Sequence, residues 1–246
     1  MPALLRLEGL RKAFGALVVT DGIDLEVAQG EALGIIGPNG AGKSTLLSLI
    51  AGDLRPDAGA VVFAGAPIDA LPPHVRARRG IGRSYQIPQP FGRMTVIENL
   101  LVGARFAGRE RIAQPAHHCG EILARTGLAH RADVPAGRLT LLERKRLELA
   151  RALAGAPVLL LLDEIAGGLT EPESLALAET IRAIHEAGTT IVWIEHVLHA
   201  LLPVVSRLVA LNFGRKLAEG RPHDVLASPT VRAIYLGLEE ADVAAA

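Results

Sequence analysis

G-P-N-G-A-G-K-S-T, residues 37–45, satisfies the pattern G-x-x-x-x-G-K-[ST] in full. Its glycines let backbone N–H groups turn inward, and a helix starting at Lys43 adds the positive end of its dipole at the same spot. A phosphate fits such a cradle. Within the pattern Gly37, Asn39, Gly40, Ala41, Gly42 and Thr45 shape the loop, Lys43 is expected to reach the β- and γ-phosphates, and Ser44 to offer its hydroxyl to Mg²⁺.

Outward from the loop, A-L-G-I-I, residues 32–36, is apolar on both faces, as a central strand of a covered sheet is. A helix is expected over residues 43–51. Upstream, Ile23, Leu25 and Val27 alternate with polar or acidic neighbours and stop at a Gln29-Gly30 turn, the pattern of a half-buried strand. Downstream come strand-like stretches near residues 60–63 and 81–85, then a Pro-rich break at 87–91. Thr95 and Glu98 form a candidate capping box. From there to residue 156 the signals are mainly helical, with a weakly patterned connector at 105–116.

The second half of a phosphate site is a carboxylate at a strand end. V-L-L-L-L-D-E, residues 158–164, supplies it: four leucines make a buried strand, and Asp163 and Glu164 emerge where open α/β sheets bind ligands. Asp163 suits the Mg²⁺ shell through water, and Glu164 is placed to polarise an attacking water as general base. A helix at 173–186, a strand at 190–194 and a hairpin of 208–211 with 216–219 around N-F-G-R complete the reading. The expected fold is an α/β core, residues 1–88 and 157–222, interrupted by a helical subdomain, 89–156. Residues 223–246 are read as a C-terminal helical tail whose last six, 241–246, fray.

Lys plus Arg and Asp plus Glu number 26 each, without a long block of one sign. That removes the electrostatic case for a nucleic-acid binder or for attachment to a membrane surface by charge. Half of the 246 residues are apolar, which argues against disorder and allows one large domain. No uninterrupted apolar run approaches the roughly 20 residues of a membrane-spanning helix. Arg6 and Glu8 interrupt the N-terminal M-P-A-L-L-R-L-E-G-L, so no secretory signal is expected, and the lone Cys119 fits a reducing compartment. A cytoplasmic protein is expected.

With both halves of the phosphate site in place, the residues resemble the nucleotide-binding subunit of an ATP-binding cassette (ABC) transporter over nearly the whole chain. The resemblance implies a P-loop NTPase core of RecA-like type, ATP and Mg²⁺ as ligands, and ATP hydrolysis coupled to transport. It also implies roles for scattered residues. Phe14, in K-A-F-G-A-L-V-V, stands where the family stacks an aromatic ring on adenine, with Val19 a weaker second contact. Gln86, in G-R-S-Y-Q-I-P-Q-P-F, matches the glutamine that approaches Mg²⁺ and the water while linking core to helical subdomain. His196, in I-V-W-I-E-H, matches the switch histidine at the γ-phosphate. A small-molecule kinase would not pair such a histidine with D-E at a strand end.

R-L-T-L-L-E-R-K-R-L-E-L-A-R-A-L, residues 138–153, opens with a second capping box, Thr140 and Glu143. In the family this helix begins L-S-G-G-Q and touches the γ-phosphate held by the other subunit. Here Leu139, Thr140, Leu141, Leu142 and Glu143 stand in that place: the hydroxyl and the cap remain, leucines replace both glycines, and glutamate replaces glutamine. Leucine side chains restrict close approach, and Glu143 is expected to add negative charge near a polyanion. Gly167-Gly168-Leu169-Thr170 likewise lacks the carboxylate of the family's S-x-L-D. An intact phosphate loop with a weak signature suggests a heterodimer with a second ABC ATPase subunit. Drift with normal function is the alternative.

L-D-E-I-A-G-G-L-T, R-L-E-L-A-R-A-L and N-F-G-R-K-L-A-E-G-R-P-H-D-V-L most resemble subunits of branched-chain amino-acid importers. That implies two permease subunits, an external binding protein that chooses the substrate, no direct contact of this chain with the cargo, and a peripheral place on the inner face of the cell membrane. A soluble ATP-dependent clamp or regulatory switch is the alternative from another class. Its marks would be a coiled-coil insertion, a basic stripe or a second cassette, and the sequence has none. Ile87, Phe91 and Met94 are candidates for a groove that receives a permease helix, with local packing as the alternative. His117-His118-Cys119 is a poor zinc set, because adjacent residues rarely face one ion. Arg76, Arg78, Arg79 and Arg83 read as a solvated basic face, and Trp193 as core.

Overall fold

A computed structural model describes residues 3–107 and 112–236; part of the expected connector, and the 241–246 end expected to fray, lie outside them. In chain order the elements are β1 (Ala3–Phe14), β2 (Leu17–Ala28), β3 (Ala32–Ile36), α1 (Lys43–Ala51), β4 (Ala58–Phe63), β5 (Ala66–Pro67), α2 (Pro73–Arg78) and β6 (Ile81–Arg83). Then follow α3 (Val96–Phe106), α4 (Pro115–Arg125), α5 (Leu141–Leu153), β7 (Leu159–Asp163), α6 (Glu171–Glu186) and β8 (Thr190–Ile194). The chain continues through α7 (Leu198–Leu201), β9 (Arg207–Asn212), β10 (Arg215–Gly220), α8 (Pro222–Ala227) and α9 (Pro229–Leu236). Among the described residues no helix is long and apolar enough to cross a membrane.

One sheet runs β10-β9-β3-β8-β7-β6, parallel except for the edge strand β10. A strand in the middle of such a sheet is covered on both faces, and its side chains alternate between them. In β3, Leu33 and Ile35 accordingly join α1 in one apolar cluster, while Ala32 and Ile36 join the other, with Trp193 and α6. The second sheet, β2-β1-β4-β5, is antiparallel and closes the α1 side of the core. Helices α3, α4 and α5 intervene between β6 and β7 and pack on one another through Val96, Leu100, Ile122, Leu123 and Leu147. The capping boxes expected at Thr95 and Thr140 are both formed, so each helix starts where its side chains can satisfy its own first N–H groups.

Two sequence expectations need correcting. The N-terminal segment is a 12-residue strand, the middle of the second sheet, although no strand was expected there. Its pairing register shifts between Leu7 and Leu10, with Gly9 at φ 52 between them, which breaks the period of two that marks a strand. The arginine cluster is a solvated face only in part: Arg78 and Arg79 are exposed, Arg76 and Arg83 are not. Arg76 is 1% exposed, and its guanidinium donates to the carbonyls of Leu49 and Ile50 at the C-terminal end of α1 and to those of Asp69 and Leu71. A cation there satisfies carbonyls that have no partner within the helix and complements the helix dipole. The Arg83 side chain is 9% exposed and belongs to the site described next.

Candidate nucleotide site

The phosphate loop joins β3 to α1, and its fold is set by close approaches. Gly42, the residue before α1, has φ 94, and a Cβ on it would lie 2.3 Å from the Val19 carbonyl oxygen. Only glycine combines that backbone with that contact. The Gly214 N–H, in the β9–β10 turn, donates to Ala41 O at 3.1 Å and pins the loop from the other side. The result is a cavity of about 250 Å³ lined by Val19, the 39–45 segment, Gln86 and Glu164.

Lys43 Nζ donates to Gly37 O at 2.7 Å and Pro38 O at 3.0 Å and lies 3.9 Å from Glu164 Oε1. Burial pushes its pKa down while Glu164, Asp163 and Glu195 push it up, burial winning. Ser44 Oγ donates to Asp163 Oδ1 at 3.0 Å. A hydroxyl and a carboxylate converging in this way form a hard oxygen set that fits Mg²⁺. Gln86 Nε2 donates to Glu164 Oε2 at 2.6 Å, and His196 Nδ1 stands 3.8 Å from the same oxygen. Residues from four separate segments thus meet on one carboxylate or its neighbour.

Other expected residues lie apart from this cluster. Phe14 is half exposed, with Lys12 Nζ 5.7 Å from its ring centroid, and it does not line the phosphate cavity. Thr140, Leu141, Leu142 and Glu143 form the start of α5 and do not line it either. Leu141 is exposed and packs close to Gly168. The Glu143 carboxylate turns back to accept the Thr140 N–H at 2.9 Å and the Arg131 Nε at 2.7 Å. Of the His117-His118-Cys119 run, Cys119 is buried, His118 meets Ala154 O and His117 pairs with Glu121.

Family models match two stretches of the chain: "ABC transporter" over residues 20–167 and "Branched-chain amino acid ATP-binding cassette transporter" over residues 215–241. The chain belongs to the ABC transporter family. The cassette is 34% identical over 249 residues to the high-affinity branched-chain amino acid transport ATP-binding protein LivG of Salmonella typhimurium, covering 95% of this chain and 98% of that one. It is also 36% identical over 228 residues to the Nod factor export ATP-binding protein I of Cupriavidus metallidurans, covering 93% and 74%. The solved ADP conformation of MJ1267, an ATP-binding cassette of an ABC transporter, superposes with a TM-score of 0.87 at 32% identity, covering 96% and 100%. The chain is therefore an ATPase of the ABC type with a P-loop NTPase fold.

Sequence reasoning missed three charged residues of this cassette's site. Arg83 contacts Asp163, Asp53 and Ser48. Lys145 and Glu195 are both buried and reach the backbone around Glu164. Glu195 alone carried a signal, a charge at the end of the apolar run I-V-W-I-E-H, whereas Lys145 in E-R-K-R and Arg83 in G-R-S carried none.

Proposed function

We propose that this cassette is the ATP-hydrolysing subunit of a membrane importer for branched-chain or related amino acids, bound on the cytoplasmic face beneath two permease subunits and paired with a second cassette. The observation that carries the hydrolytic part is the convergence of Lys43, Ser44, Gln86 and Glu164 on one cavity, with Asp163 hydrogen-bonded to Ser44. The substrate class rests on the match of residues 215–241 and on relatives such as LivG, aligned over nearly their full length. The exporter relative aligns over 93% of this chain, but the C-terminal match favours the importer reading.

In this reading the 37–45 loop N–H groups and Lys43 hold the β- and γ-phosphates, and Phe14 and Val19 receive the adenine. Ser44, Asp163 and Gln86 would hold Mg²⁺, which when bound neutralises charge on the phosphate oxygens. Glu164 takes a proton from the attacking water, oxygen adds in line to the γ-phosphorus, and ADP leaves with its bond to that phosphorus broken. Gln86 orients the Glu164 carboxylate through its hydrogen bond, and His196 faces the γ-phosphate. Closure of two cassettes around nucleotide and reopening on product release would move the permease between its two facings. The cargo never touches this chain.

Leu141 and Leu142 place bulk where the family has glycine, which favours a partner cassette with a glycine signature over a second copy of this chain. Two experiments test the assignment. Affinity purification from detergent-solubilised membranes of the source cell should recover two polytopic proteins and another cassette; recovery from the soluble fraction alone would reject it. A Glu164→Gln chain with Mg-ATP should stay monomeric on gel filtration, and a tight ATP-dependent homodimer would reject the heterodimer.

A further inference from the structure

Glu164 has φ 44, a left-handed conformation that a non-glycine residue adopts only when its surroundings impose it. β7 ends one residue earlier, and the chain must turn sharply to leave the sheet. Two buried charges of opposite sign meet this turn. Lys145, on α5 and 3% exposed, donates from Nζ to the Glu164 carbonyl at 3.3 Å and to the Gln86 carbonyl at 2.7 Å. Glu195, at the end of β8 and 0% exposed, accepts the Ala166 N–H at 3.0 Å through Oε2. Its Oε1 accepts the His196 N–H at 3.0 Å and the Val197 N–H at 3.4 Å and lies 3.4 Å from His196 Nδ1.

We infer that Lys145 and Glu195 are positioning residues of the ATPase reaction, a cation and an anion that clamp residues 164–166 at their two ends and so hold the Glu164 carboxylate in place. The inference rests on the reading of Glu164 as general base. Burying a full charge is costly, and well-packed apolar residues usually serve stability as well or better. Charges retained at such a cost are explained by what they hold. Here each one spends its hydrogen bonds on backbone next to Glu164, Gln86 or His196, and none on the core. Lys145 fixes both the residue that carries the carboxylate and the residue whose side chain hydrogen-bonds it. Because Lys145 sits on the helix that begins at Thr140, the clamp also ties the signature end of the cassette to its own catalytic turn.

The test uses Lys145→Met, Glu195→Gln and Glu195→Asp, with Glu164→Gln as the control. Nucleotide affinity is read on the full chain with a fluorescent ATP analogue and Mg²⁺, and kcat on the complex purified with this chain. Amide hydrogen exchange is followed at residues 164–168. Affinity is expected to stay within roughly twofold of wild type, as for a group that acts only on the transition state. The kcat is expected to fall about 100-fold, with exchange at 164–168 faster by about tenfold and exchange in β3 and α1 unchanged. Wild-type kcat in folded variants, with Glu164→Gln inactive, overturns the clamp and leaves Glu164 as base; hydrolysis by Glu164→Gln overturns that reading instead. Loss of nucleotide affinity in step with kcat makes the pair general scaffolding and also overturns the clamp. If Lys145→Met does not fold, Glu195→Asp, which keeps the charge and retracts it by one methylene, carries the same test.

Discussion

The Arg83 guanidinium lies 3.3 Å from Asp163 Oδ2, on the side of the carboxylate opposite the oxygen that accepts from Ser44. The same guanidinium reaches Asp53 and sits 4.8 Å from the Tyr85 ring centroid, so one side chain joins the Asp163 carboxylate to the end of α1 and to the loop leading to Gln86. Arg83→Met removes a nearly buried cation and leaves Asp163, 4% exposed, without its counter-charge. The expected loss is about 2–3 kcal/mol of folding stability, below the full figure for a buried pair because Asp53 is partly solvated. Urea unfolding checks it, as a lower midpoint with an unchanged slope.

Gly42→Ala should leave a folded chain that no longer holds ATP. The φ of 94 alone costs an alanine about 1–2 kcal/mol, and the contact with the Val19 carbonyl, 2.3 Å from the new Cβ, forces the loop to move. Calorimetric titration should find affinity lower by at least about tenfold. Unchanged binding would mean that the loop does not hold nucleotide in this conformation.

Acid should weaken the fold through its helix starts. Glu98 is held below the ordinary carboxylate value of 4.5 by the Thr95 backbone N–H and hydroxyl, and Glu173 in the same way by Thr170. For Glu143 burial acts against the charge, yet the Thr140 N–H and Arg131 outweigh it and its pKa is also lowered. A lowered folded-state value means that the unfolded chain binds more protons in the window below 4.5, so this stabilisation is complete above it and is lost as pH falls. Urea midpoints should drop between about pH 5 and pH 3. Glu143→Gln should lower the midpoint at neutral pH and make the acid drop shallower.

Phe91→Asp should uncouple hydrolysis from transport. Phe91 is 47% exposed and lines a groove of about 340 Å³ between the sheet and α3 and α5, while Ile87, 70% exposed, lines a separate pocket with Gln86 and Arg151. Arg151 stacks 5.4 Å from the Phe91 ring centroid and pairs with Glu148, so a carboxylate at residue 91 would compete for that arginine. Substrate uptake in vesicles should fall while nucleotide binding stays at the wild-type level. Wild-type uptake would reject the groove as the docking place.

Much of the fold was legible in the sequence because its signals are local. The limits of β3, α1 and β8 agree with the pattern of apolar runs and loop glycines, and the two capping boxes mark α3 and α5 within four residues of sequence each. β1 escaped because a glycine and a shifted register broke its alternation. Of the site, the phosphate loop and the D-E strand end were legible from spacing. Gln86 and His196 needed the family resemblance, since a single glutamine or histidine carries no signal of its own.

By itself the sequence determined the phosphate loop, nine consecutive residues whose conformation follows from their own glycines, and the order of strands and helices around it. Only the tertiary structure decided which charges are buried and what they hold. Ser44 and Asp163 meet across 119 residues, and Arg76 and Arg83, two of the arginines of an apparently basic surface, end on helix carbonyls and on a carboxylate. The physical reason is that a charged side chain has the same formula in water and in a core. Its burial and its partners are properties of the segments packed around it, and the chain brings those together only when it folds.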